Sequence, residues 1–220
     1  SISWKNRGWD HPGLVGYMES HDEERIMYKC LQYGAEENGY DMKDPVTALH
    51  RIQLDALFFY TVPGPKMLWQ FGELGYDFSI DYNGRTGEKP IRWDYYQDED
   101  RHNLFRFFSA LIQLRKEEEV FRSETFGISA SSGLKHIVIT HPAMNAVVVG
   151  NFLLDDGEAN PPWPHTGMWY DFFTGDSLKV EATDQSLTLA PGEYHLFTDR
   201  RLEPPPGLEP VWRLLPDFSE

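Results

Sequence analysis

The chain has 220 residues, and 20 Lys and Arg against 35 Asp and Glu leave it a formal charge of −15 at pH 7. Such a surface repels nucleic acid and anionic membranes, so neither is an expected partner, whereas a neutral ligand is indifferent to the field. Hydrophobic residues at 40% and charged residues at 25% are globular proportions, and a single cysteine, Cys30, excludes an internal disulfide framework.

That lone cysteine favours a reducing, cytoplasmic setting. No apolar run approaches the ~18 residues that a membrane helix needs. The opening SISWKNRGWDHPG carries neither an initiator Met nor an apolar signal core. It reads as cut from a longer chain, with Ser1 as an added residue. Residues 13–19, GLVGYME, form a short, nearly continuous apolar run of the kind a doubly buried strand shows. A helix is expected over 44–60, with Asp44 as N-cap, Pro45 at the first helical position, and Leu49, Ile52, Ala56 and Phe59 at helical spacing. Pro63 and Gly64 end it.

A second strand-like run, PKMLWQF, occupies 65–71, followed by the polar loop GELGYDFSIDYNGRTGEKPIRWDY. Another helix is expected from about Asp98, its acidic first turn suiting the dipole and its apolar face made of Leu104, Phe107, Phe108, Leu111 and Leu114. Strand–helix–strand–helix amounts to two β/α units of a parallel sheet. After Phe121 the pattern changes to short runs at 124–129, 135–140, 145–152, 168–173, 186–190 and 193–198, set off by Gly, Pro, Asn and Asp. These predict an antiparallel β-sandwich. The Pro-rich remainder reads as an extended tail. Two β/α units cannot close a barrel by themselves, so residues 1–122 read as the end of a (β/α)8 barrel, 123–200 as the sandwich, and 201–220 as the tail.

The chemistry concentrates in GYMESHDEER, residues 16–25. One reading is a helix N-terminus, with Ser20 or Asp22 as cap and Glu23 and Glu24 on the positive end of the dipole. The other is a strand delivering a carboxylate to the mouth of a site. A Ser-His-Asp relay is excluded, because adjacent residues on a strand alternate faces. The eight His include no pair at helical metal spacing beside a third ligand, so no metal site is expected, and NGRTGEK lacks the spacing of a phosphate loop.

GYMESHDEER resembles the segment of glycoside hydrolase family 13, the α-amylase superfamily, in which the seventh barrel strand closes on His-Asp. VPGPKMLWQFGELG is similar to the eighth-strand segment of that family, KPIRWDY to the loop before the last barrel helix, and FFSALIQLRKEEEVF to that helix. MWYDFFTGDS and LAPGEYHLF resemble strands of the C-terminal sandwich. The segments occur in family order over nearly the whole chain to Asp199. The resemblance implies that Asp22 is the transition-state-stabilising carboxylate of a retaining α-glucan hydrolase and that His21 hydrogen-bonds sugar hydroxyls beside it. Trp93, Glu73 and Arg85 are candidate substrate contacts. Against these stand blander roles: Glu73 structuring its loop, Arg85 and Arg92 in loop ion pairs, and Trp69, Trp163 and Trp169 as packing.

No segment resembles the family's nucleophile or acid/base regions, so the chain is expected to be inactive alone and to require an upstream part of roughly 300 residues or more. Hydrolysis of α-1,4-glucan is the leading reaction, and branching or another transfer the alternative. A non-catalytic glycan-binding module is the alternative from another class. No cofactor is expected; calcium, where the family holds it, binds upstream. The open barrel edge, residues 10–75, invites self-association.

Overall fold

The computed structural model describes residues 3–208; Ser1 and the end of the tail expected over 201–220 lie outside the described residues. The first strand, β1 (Gly16–Tyr17), is only two residues long and pairs in parallel with β4 (Lys66–Met67), which is equally short. Both apolar runs were expected to be longer strands. Beyond Tyr17 and Met67 the two segments leave the ladder, and the stretches that follow wall the site described below.

Between them come elements that the apolar pattern did not foretell. Helix α1 (Ile26–Tyr33) is followed by a hairpin of β2 (Glu36–Glu37) and β3 (Tyr40–Asp41), turned through Asn38 and Gly39 at positive φ. Helix α2 (Pro45–Thr61) is the centre of the molecule, buried along almost its whole length. Asp44 caps it by accepting from the Thr47 amide at 2.9 Å, as its sequence predicts. At the other end, the Arg115 guanidinium of α3 (Glu99–Glu117) donates to the carbonyls of Tyr60, Val62 and Gly64, satisfying the last turn of α2. Asp98 caps α3 through the amides of Asp100 and Arg101.

The second half is a six-stranded antiparallel sheet in the order β10 (Ser177–Val180), β9 (Gly167–Asp171), β12 (Tyr194–Thr198), β7 (Ala146–Asn151), β6 (Leu134–Ile139), β5 (Phe126–Ser129). A separate ladder pairs β8 (Gly157–Ala159) with β11 (Leu187–Leu189). β8 and β10 were not anticipated; three or four residues with alternating polar positions leave no apolar run to detect.

Alternate residues of β7 face two different cores. Val148, with Leu196 and Tyr194, packs on Leu54, Leu57, Leu104 and Phe107 of the helices. Val147 and Val149 turn the other way, onto Trp163, Trp169, Val180 and Leu189. The sheet lies so close to α2 that a Cβ on Gly150 would meet Leu54 and Phe58 side-chain atoms at 2.6 and 2.7 Å. No helix among the described residues is long and apolar enough to cross a membrane.

Candidate functional site

The cleft opens at the carboxyl ends of β1 and β4. It encloses about 550 Å³ and is walled by the bend after β1 (Ser20, His21, Asp22), by the bend after β4 (Trp69, Gln70, Phe71) and by the loop over residues 79–91. Residues 20–25 do not begin a helix. The Asp22 amide donates to Ser20 Oγ at 3.2 Å in a tight local turn, and α1 starts only at Ile26. Its first amide is capped from seven residues upstream, where Glu19 Oε1 accepts from Ile26 N at 2.7 Å. The helix-cap reading of Ser20 and Asp22 therefore gives way to a turn that leaves His21 and Asp22 exposed at the mouth.

His21 Nε2 lies 3.2 Å from Asp22 Oδ2, with the two side chains 72% and 67% exposed. Arg85 reaches across from the loop, donating Nη2–H to the Asp22 carbonyl at 3.0 Å and standing 3.9 Å from Oδ1. The Trp69 ring lies 5.7 Å from that of His21. Trp69 was read from the sequence as packing; it is instead half-buried and lines the cleft, because the strand before it ends at Met67. What would have revealed it is its position just past a strand's carboxyl end, where side chains face a barrel mouth.

A buried ionic group adjoins the cleft, with Arg25 and Tyr76 among the cleft's lining residues. Arg25 Nη1 is 3.5 Å from Glu19 Oε2, its Nη2 donates to the Gln70 carbonyl, and its guanidinium covers the Tyr76 ring at 4.7 Å. Burial raises the Glu19 carboxyl above its ordinary range, and Arg25 holds it partly down. Glu73, in the short 3-10 turn Gly72–Leu74, belongs to this group rather than to the cleft wall, and burial raises its carboxyl too. Trp93 stands outside the cleft lining as well: it is 72% exposed and meets Phe71 edge-on at 4.9 Å. Arg92 is held in a loop ion pair with Asp94, and its guanidinium lies over the Tyr95 ring. Trp163 and Trp169 are buried packing residues, as their sequence setting predicts. Of the predicted site residues, then, the fold gathers His21, Asp22 and Arg85, and leaves Glu73 and Trp93 apart from them.

No family model matches the chain, and no curated protein matches it by sequence. Solved structures do. An α-amylase from Geobacillus thermoleovorans, complexed with acarbose, superposes with a TM-score of 0.63 at 15% identity, covering 84% of this chain and 38% of its own. An Anoxybacillus α-amylase gives 0.64 at 15% identity, covering 93% of this chain and 42% of its own. The chain has the fold of the C-terminal part of an α-amylase. A debranching enzyme from Nostoc punctiforme, soaked with acarbose, matches at 0.55 and 18% identity over 83% of this chain and 33% of its own. The chain thus spans well under half the length of these α-amylase-fold structures.

Proposed function

We propose that this chain is the C-terminal part of a retaining enzyme acting on α-1,4-glucan, contributing the last two β/α units of a (β/α)8 barrel and a β-sandwich behind them. The observation that carries the reading is the meeting of His21, Asp22, Arg85 and Trp69 around one cleft at the carboxyl ends of a parallel strand pair. The carboxyl ends of barrel strands are where this fold places its chemistry. The α-amylase of the same fold that holds acarbose supports an oligosaccharide as ligand.

In this role Asp22 accepts hydrogen bonds from sugar hydroxyls, and those bonds strengthen as positive charge develops in the ring, stabilising an oxocarbenium-like transition state. His21, beside it, supplies a second polar contact, and Trp69 offers an apolar face to the sugar. The nucleophile and the acid required about 5 Å apart for retention come from the remainder of the barrel. That the barrel is incomplete here accords with its open flank. Val15, Tyr17 and Leu68 are exposed around the β1–β4 pair, and a largely apolar hollow of about 510 Å³, lined in part by Tyr17, Met18 and Phe59, adjoins it.

The test is release of reducing ends from soluble starch, first by the 220-residue chain and then with an upstream barrel half added. The expected result is no activity alone and activity on reconstitution, abolished by Asp22→Asn. Activity from the chain alone, or an Asp22→Asn variant as active as wild type, would overturn the reading. Product analysis on the reconstituted enzyme separates hydrolysis, which yields free reducing ends, from transfer, which yields new branch points.

A further inference from the structure

The cleft wall over residues 79–91 has no regular secondary structure, yet its hydrogen bonds are organised around two charged side chains that do not contact the cleft's reactive groups. Glu24 is the first. Its Oε2 accepts from Ser79 Oγ at 2.9 Å, and its Oε1 accepts from the Ile80 amide at 3.0 Å and from the Arg25 amide at 3.2 Å. Lys89 is the second: its three N–H groups donate to the carbonyls of Tyr82, Gly84 and Gly87 at 2.8, 2.8 and 3.0 Å, closing the loop on itself. Tyr76 pins the far end by donating to the Pro90 carbonyl at 2.6 Å. The turn inside this cage admits little variation. Gly84 has φ +78°, and a Cβ on Gly87 would meet the Asn83 carbonyl oxygen at 1.8 Å.

We propose that Glu24 and Lys89 are positioning residues that hold this loop as a preformed wall and so fix Arg85 against Asp22. Glu24 lies two residues from Asp22, in a stretch with no helix or strand to hold it. The same carboxylate therefore links the segment just after Asp22, at the Arg25 amide, to the loop that carries Arg85, at Ser79 and Ile80. A ligand meeting such a wall avoids the entropy cost of ordering it. The effect on sugar binding rests on the glucan reading of the cleft; the order of the loop does not.

Three variants, Glu24→Ala, Glu24→Gln and Lys89→Met, test this in the 220-residue chain, by amide hydrogen exchange, melting temperature and acarbose titration. Glu24→Ala should speed exchange in residues 79–91 about tenfold or more while the melting temperature moves little, and should weaken acarbose about tenfold. Glu24→Gln should restore both, since its carbonyl still accepts from Ile80 N and its amide donates to Ser79 Oγ. Lys89→Met should loosen residues 82–87. Undiminished protection in Glu24→Ala, or a Glu24→Gln no better than Ala, would overturn the proposal. So would a loosened loop that binds acarbose as well as wild type does. A wild-type chain that binds no acarbose, with the loop still loosened in Glu24→Ala, would remove sugar binding by this part of the site alone and uphold the positioning role.

Discussion

At Trp69 and Trp93 the cleft separates two residues of the same type. Trp69 lines it beside His21, while Trp93 is exposed at the edge of Phe71. An aromatic face against a sugar contributes on the order of 1 kcal/mol beyond the area it buries, so Trp69→Ala should weaken acarbose binding about fivefold. Trp93→Ala should leave it unchanged; isothermal titration of the two variants decides. Residue type alone ranked them the other way, since Trp69 stands in an apolar run and Trp93 in a loop. His21 and Asp22 were singled out by the resemblance of GYMESHDEER and the segments after it to the α-amylase superfamily; the local pattern alone read equally as a helix cap. Trp69 was not, because a strand of two residues cannot be told from one of seven by hydrophobicity. Glu24 and Lys89 were invisible for a different reason: each acts on backbone groups that the fold, and not the local sequence, brings near.

Among the elements, α2 and α3 were readable because their caps are local, Asp44 reaching three residues ahead and Asp98 two and three. α1 was not, because its N-terminal amide is satisfied by Glu19 from outside the helix and its eight residues make only about two turns, too short for a helical period to stand out. This difference sets up a comparison of stabilities. Asp44→Ala removes an exposed-end cap and should cost about 1 kcal/mol. Glu19→Ala removes the cap of α1 and also strands the buried Arg25 guanidinium without its counter-charge, which should cost about 3–5 kcal/mol. Urea midpoints at constant m-value test both, and equal costs would mean that Arg25 finds another partner.

For the molecule as a whole, the change of sequence style after Phe121 suggests two units, but the helices and one face of the sheet share a single core. Leu54, Phe107, Val148 and Leu196 belong to the same cluster. Tyr194 of β12 donates to Gln53 of α2 at 2.9 Å, and Arg51 of α2 donates to the Leu153 carbonyl at 3.0 Å. Calorimetry should therefore show one cooperative transition; two resolved peaks would place an energetic boundary near residue 122.

The pH dependence of that transition has an identifiable source on the far side of the sheet. His195 lies between two carboxylates, its Nδ1 bonded to Asp171 and its Nε2 to Glu193 at 2.8 Å, with the Phe197 ring stacked at 5.2 Å. Both ring nitrogens thus face acceptors, a geometry that the imidazolium satisfies and the neutral ring does not. Burial opposes the charge, yet the two carboxylates prevail and lift the group to about 9. Because the folded value lies above the ordinary value of ~6.5, the folded state retains a proton that the unfolded chain gives up. The stabilisation is complete below about pH 6.5 and fades as pH rises toward 9, a change of about 3 kcal/mol. Lys66 acts in the opposite sense over part of this range, since burial, with Arg115 nearby, depresses its ammonium to about 7. A single stability curve would therefore mix the two. The difference between wild type and His195→Gln cancels Lys66, and it should be largest near pH 6 and shrink steadily toward pH 9. A difference independent of pH would mean that folding retains no extra proton at His195.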